Sequence, residues 1–163
     1  LRFIPYVSVI LPLYLIMLKF GLVGTHLGVV LAQQTRLMPF VIWLLRGFFL
    51  EIPGNLEEAA MVQGCSRWGA FVRIAIPLVA PALGTALILS FIFAWNEYLV
   101  VLVLSGRNAQ TLTLGLAKFL GGEEHGMRWG PLSAWASVVV LPVIVFVFLV
   151  GKQFIRGFSG KTE

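Results

Sequence analysis

The chain has 163 residues, of which 59% are hydrophobic and 12% charged, and its mean hydropathy of +0.94 excludes a soluble domain with a polar surface. That length is short for several globular domains and sufficient for about four membrane spans of roughly 20 residues each. The formal charge of +5 sits on scattered single Lys and Arg residues with no basic stripe or interleaved aromatic platform, which argues against a nucleic-acid partner and for a role in membrane orientation.

In chain order, apolar runs long enough to cross a hydrocarbon core are expected at Phe3 to Phe20, Leu27 to Leu50, Leu78 to Leu104 and Pro131 to Ile155. The fold class is therefore all-α, a polytopic helical membrane bundle. Gly21-Leu22-Val23-Gly24-Thr25 is the natural first turn, because paired glycines break a helix cheaply at a surface. The second connection is polar and is read below. Ser105-Gly106-Arg107-Asn108 ends the third run by the same chemistry as the first turn. The small residues Ala80, Ala82, Gly84 and Ala86 permit close helix contact.

The segment between the second and third runs is expected to hold two short helices. Asn55 precedes Leu56-Glu57-Glu58, so its side chain is expected to cap the first helix with Glu58 at the third position, a variant of the capping box. Glu57 and Glu58 suit the positive end of that helix. Gly64 supplies the turn after Met61-Val62-Gln63, and Ser66 caps a second helix through Trp68, Phe71 and Val72 that stops before Pro77. The product is a compact, surface-exposed knob. With that loop inside the cell, Arg2, Arg46, Arg67, Arg73, Lys152, Arg156 and Lys161 lie in or near the cytoplasm, against Lys19, Arg107, Lys118 and Arg128 outside.

The spacing of Glu58-Ala59-Ala60, Gly64 and Ile74-Ala75-Ile76-Pro77 resembles the signature loop of the membrane subunits of ATP-binding-cassette importers that receive substrate from a binding protein. Ile76 stands where Leu is usual. Pro39-Phe40-Val41-Ile42-Trp43-Leu44-Leu45-Arg46-Gly47-Phe48-Phe49 with Ile52-Pro53, Trp95-Asn96-Glu97-Tyr98 and Thr111-Leu112-Thr113-Leu114-Gly115-Leu116 resemble sugar importer permeases of the maltose-transporter type. So do Trp129-Gly130-Pro131-Leu132 and the tail from Gln153 to Lys161. Departures are Gln63, Cys65 and Thr113, where Asp, Ala and Pro are common.

The resemblance implies a single transmembrane permease domain over residues 1–163, with a cytoplasmic coupling loop at 51–77, in a prokaryotic inner membrane with the C-terminus cytoplasmic. Such permeases usually have six spans, and this chain starts at Leu1 with no cleavable signal. It is therefore expected to be the C-terminal portion, or a truncated relative, of a larger subunit, lacking the N-terminal spans. The implied coupling residues are Glu57, Glu58, Ala59, Ala60, Gly64, Ile74 and Pro77. Implied partners are two copies of an ATPase subunit, a second homologous permease, an extracytoplasmic solute-binding protein and membrane lipid. The chain carries no Gly-rich phosphate loop of the P-loop type. It is expected to be non-catalytic and to bind no cofactor, with ATP and Mg held by the partner ATPase.

Polar residues inside the spans are costly in hydrocarbon and face protein or water. Gln33 and Arg36, three apart on one helical face, either line a translocation path or pair with a neighbouring helix. Asn96 and Glu97, counted about 20 residues beyond Pro77 or on the order of 30 Å, are expected near the outer face, as an outer gate, a binding-protein contact or a helix–helix pair. Several constellations point to no chemistry. Cys65 stands alone and offers neither a disulfide nor a metal cluster; Glu123-Glu124-His125 reads as a solvated loop; His26 is alone at a span end. Trp43, Trp68, Trp95, Trp129 and Trp135 read as interfacial or packing residues before sugar-stacking platforms.

The function expected is ATP-driven import of a mono- or oligosaccharide by alternating access. The alternatives are import of a polyamine, an oxyanion or a sugar phosphate by the same machinery, an ion-coupled secondary carrier with Glu97 as its acid, or a membrane scaffold that carries nothing.

Overall fold

A computed structural model describes residues 6–117 and 129–159. Glu123-Glu124-His125, Lys118, Arg128, Arg2 and the tail from Gly160 lie outside the described residues. The helices are α1 (Tyr6–Lys19), α2 (His26–Leu50), α3 (Gly54–Val62), α4 (Arg67–Ala70), α5 (Ile76–Trp95), α6 (Leu99–Leu104), α7 (Leu112–Leu116) and α8 (Trp129–Ser159), with a π-helical turn at Phe71–Ala75 joining α4 to α5. No strand occurs among the described residues.

Three stretches are long and apolar enough to cross a membrane, His26–Leu50, Arg67–Trp95 and Trp129–Gly151, while the apolar helix Val7–Lys19 is shorter. At most 22% of the apolar window in each of the three is buried within the chain. Side chains such as Leu141 and Phe148 therefore point outward, as expected of a surface covered by lipid or by further helices.

The third span differs from its sequence expectation at both ends. It begins at Arg67, because α4, the π turn and α5 run on without a stop at Pro77. The Ile76 N–H donates to the Phe71 carbonyl five residues back, and this wider turn lets the chain pass a proline that has no N–H to offer and would crowd the preceding turn. It ends at Trp95 rather than Leu104, with α6 set off as a separate short helix. The helix that carries the fourth expected run, α8, extends past both expected limits, from Trp129 to Ser159, while its membrane-crossing stretch is Trp129–Gly151.

The chain falls into two compact units. The first comprises residues 1–39 and 91–145. Its core joins Leu13 and Met17 of α1, Val29 and Ala32 of α2, Val100, Val101 and Leu104 of α6, and Ala109 and Leu114. The three α6 residues are fully buried, and each such aliphatic side chain contributes about 1.5–3 kcal/mol. This explains how a six-residue helix, far too short to be stable alone, persists here. The glycine turn expected between α1 and α2 is present: Gly24 takes φ +79°, and its N–H donates to the Leu104 carbonyl at 2.8 Å. Thr25 then caps α2, its Oγ1 accepting from the Gly28 N–H at 3.0 Å. Two indoles are tied down by their N–H groups, Trp95 to the Val139 carbonyl at 3.0 Å and Trp135 to the Leu112 carbonyl at 2.8 Å.

The second unit comprises residues 40–90 and 146–163. Here α3 packs on α4 and on the π turn, and the Phe71 ring lies 6.0 Å from Phe49 and 5.5 Å from Trp68 between centroids. On α5, Ala82, Gly84 and Ala86 are buried, whereas Ala80 is exposed.

Candidate functional site

The expected knob is a helix–turn–helix whose ends are each closed by a specific device. At its start the structure differs from the sequence reading. Pro53, with φ −64° and ψ 122°, is the cap residue of α3 and makes no side-chain capping bond, so Asn55 lies inside the helix rather than at its cap. A proline fits at a helix start because it needs no N–H there, and Gly54 follows without steric conflict. Glu57 still falls in the first turn, where a carboxylate complements the helix dipole.

At the far end the chain reverses in a Schellman arrangement. The Cys65 N–H donates to the Ala60 carbonyl at 3.0 Å and the Gly64 N–H to the Met61 carbonyl at 3.0 Å, with Gly64 at φ +92° in the left-handed region that favours glycine. Ser66 opens α4 as the sequence reading requires, its Oγ accepting from the Gly69 N–H at 3.1 Å. Ser66→Ala is expected to cost about 1 kcal/mol of local stability, visible as faster amide hydrogen exchange at Gly69 with the rest of the chain unchanged.

The expected coupling residues divide by exposure. Glu58, Ala59, Gly64 and Pro77 are exposed, Glu57 and Ile74 are half-buried, and Ala60 is buried within the chain. The knob also presents two large apolar side chains that the sequence reading did not single out as contact residues, Val62 at 89% exposure and Trp68 at 72%. An exposed polar–apolar surface on a rigidly capped turn has the character of a contact site for another protein.

Of the polar residues expected inside the spans, the structure brings two together. Arg36 on α2 donates through Nη1 to Glu97 Oε2 at 2.5 Å. Glu97 Oε1 accepts from the Val100 N–H at 3.2 Å, one of the α6 donors that no preceding turn can satisfy. The Glu97 side chain is 6% exposed and that of Arg36 is 54% exposed. Asn96 takes no part in this pair. It is exposed, and its Nδ2 donates to the Ile92 carbonyl at 2.8 Å. A side chain competing for the last carbonyls of α5 together with a carboxylate capping α6 accounts for the break between the two helices. The pair brings Glu97 to Arg36, which is ten residues, or about 15 Å at 1.5 Å per residue, along α2 from His26.

Gln33 stands one turn before Arg36 and contributes instead to a cavity of about 440 Å³ in the first unit. No group of three or more His, Cys, Asp or Glu side chains able to hold a metal occurs among the described residues.

Residues 1–159 match the family described as binding-protein-dependent transport system inner membrane component. The chain is 38% identical over 156 residues to the trehalose transport system permease protein SugB of Mycobacterium tuberculosis, covering 95% of this chain and 57% of that protein. It is 36% identical over 156 residues to the diacetylchitobiose uptake system permease protein DasC of Streptomyces coelicolor, covering 95% and 56%. With the trehalose/maltose transport system permease protein MalG of Thermococcus litoralis it shares 31% identity over 161 residues, covering 98% and 57%. The chain thus spans little more than half the length of these relatives. Helices of membrane-crossing length, a capped knob between two of them and a match over nearly all of its residues together establish that the chain belongs to the family of binding-protein-dependent transport system inner membrane components.

Proposed function

We propose that the protein containing this chain is a permease subunit of an ATP-driven importer that carries a sugar across the inner membrane by alternating access. The observation that carries this reading is the knob: a turn locked by Gly64 and Ser66 with Glu58, Ala59, Val62 and Trp68 on its surface. Supporting the choice of cargo are the trehalose, diacetylchitobiose and maltose in the names of its relatives. Residues 1–163 act as one transmembrane permease domain in which segment 51–77 is the coupling loop. This loop, with the C-terminus, faces the cytoplasm, in keeping with the Lys and Arg distribution.

In the mechanism, a solute-binding protein delivers the sugar at the outer face. Closure of two ATPase subunits, which hold ATP and Mg, pushes on the loop. Because α4, the π turn and α5 form one continuous stretch, a force on Trp68 reaches the third span directly, a force on Glu58 passes through the packing of α3 on α4, and the spans rearrange against those of a second homologous permease to open inward. This chain performs no catalysis and binds no cofactor. Gln33, Arg36, Asn96 and Glu97 lie along or beside the route taken by the sugar.

The test is purification of the full-length subunit from its own membranes in mild detergent, with mass identification of what accompanies it, followed by uptake assays in reconstituted vesicles. Recovery of an ATPase and a second permease, with ATP-dependent uptake of trehalose, maltose or diacetylchitobiose, is expected. Recovery of the chain alone from active membranes, or uptake lost on collapsing the proton gradient at constant ATP, would overturn the reading.

A further inference from the structure

Helix α5 ends on Trp95, and this last side chain ties it to another helix. The Trp95 N–H donates to the Val139 carbonyl of α8 at 3.0 Å, and the indole stacks on Phe91 one turn earlier, with ring centroids 5.4 Å apart. Both ends of the bond lie in the first unit. The tie matters because α8 packs sparsely: 6% of the apolar window in Trp129–Gly151 is buried within the chain, against 22% in the other two membrane-length stretches. Where apolar packing is thin, directed bonds set how one helix follows another, and in hydrocarbon no water replaces a bond that breaks. Pro142 lies inside α8, three residues beyond Val139. A proline has no N–H for the carbonyl four residues back and distorts the turn before it, and Val139 stands in that turn. A second indole holds α8 to a different partner. Trp135 donates to the Leu112 carbonyl of α7 at 2.8 Å and lies against Gly115, where a Cβ would meet its ring at 2.8 Å.

From this we infer that Trp95 is a positioning residue of the transport cycle, passing the movement of α5 on to α8 through its bond to Val139. The inference rests on the proposed importer function and adds the step that follows the coupling loop. In that function a push on the loop moves α5, and α8 moves in step with it when a contact joins the two. Sliding one thinly packed helix past another loses little packing energy but breaks the indole–carbonyl bond, so the bond is where displacement is transmitted. The surroundings of Trp95 keep the indole from absorbing that displacement by turning. Phe91 stacks on one side of it. On the other, the helix end is fixed by Asn96, which donates back to the Ile92 carbonyl, and by Glu97, which is held by Arg36 and the Val100 N–H. Trp135 makes the same kind of bond from the same helix, but to α7 and not to α5, and so stands outside this route.

The experiment uses the complete complex in proteoliposomes with its binding protein, and measures ATP hydrolysed per sugar imported with trehalose and maltose as probes. A variant that assembles poorly lowers hydrolysis and uptake alike, so misfolding drops out of this ratio. Trp95→Phe keeps a ring to stack on Phe91 and removes the N–H. Its ratio is expected to rise about fivefold, the equivalent of one hydrogen bond of about 1 kcal/mol. The KM for sugar is expected to stay unchanged, because the N–H removed is the one given to Val139. Trp95→His is the second variant at this position. Its ring Nε2 can occupy the place of the indole Nε1 and restore the donor, and its ratio is expected to return close to that of the wild type. Trp135→Phe deletes an equivalent bond off the route and is expected to leave the ratio unchanged. The inference is overturned, and the importer left intact, by an unchanged ratio in Trp95→Phe, by an equal rise in Trp95→His or in Trp135→Phe, or by a raised KM at an unchanged ratio. A wild-type complex that imports neither sugar with ATP overturns the importer reading and the inference together.

Discussion

Under the proposed coupling role, Gly64→Asp is expected to weaken association with the proposed ATPase partner about thirtyfold and to reduce the proposed ATP-driven uptake correspondingly, while the membrane spans still insert. Gly64 is exposed, and a Cβ built on it meets nothing within 4 Å in its own chain, so the substitution meets no clash inside the subunit. Two costs remain. One is conformational: φ +92° is disfavoured for a residue with a side chain by about 1–2 kcal/mol. The other arises only against a partner, where a carboxylate buried without a counter-charge costs on the order of 2 kcal/mol, or about thirtyfold in affinity. Gly64→Asn separates them, since it brings nearly the same shape and backbone strain without the charge. Co-purification of the ATPase and vesicle uptake are to be measured for both variants. Loss in Asp with substantial retention in Asn places this turn at the interface. Equal loss in both assigns the effect to the backbone, and unchanged association in both sinks the coupling role of the knob.

The second large effect is expected at the ion pair. Removal of one partner from a fully buried pair costs about 3–5 kcal/mol, but the Arg36 side chain is 54% exposed, and screening reduces the expectation for Glu97→Gln to roughly 1–2 kcal/mol. Glu97→Leu is expected to cost more, because it also removes the acceptor for the Val100 N–H and so uncaps the fully packed α6. Thermal unfolding of the purified complex measures both. The pair itself is isolated by a double-mutant cycle. If Arg36→Met and Glu97→Gln combined cost less than their separate effects added, by at least about 0.5 kcal/mol, the contact is energetic as well as geometric. Strict additivity would mean that Glu97 acts through the α6 cap alone.

The cap, the pair and the cavity were legible to different degrees, for physical reasons. Ser66 and Gly64 could be read directly, because a serine before a helix and a left-handed glycine after one act on their own backbone neighbours, so the sequence contains both partners of each interaction. Asn55 was a fair cap by the same rule, yet Pro53 two residues earlier is pre-set for a helix start and took the position. The run from Leu78 to Leu104 is apolar throughout, and no hydropathy window registers a break made by Asn96 turning back on the Ile92 carbonyl and Glu97 capping Val100. A polar pair inside an apolar run was the available sign. The continuation of the helix through Pro77 was hidden because a proline ordinarily ends one, and only the π turn before it removes the conflict.

Class, location and family follow from the sequence by itself. Transfer of apolar side chains out of water is a sum over residues, so composition and run length suffice to place the helices in a membrane, and the spacing around Glu58 and Gly64 suffices to mark the knob because its bonds are local. Only the tertiary structure decided that Ala60 turns inward, that Arg36 meets Glu97 across 61 positions of sequence, and that His26, Gln33, Trp95 and Thr113 surround one cavity. Each of these depends on which helix faces lie side by side, and side-chain pairing across distant segments carries no periodic signal along the chain.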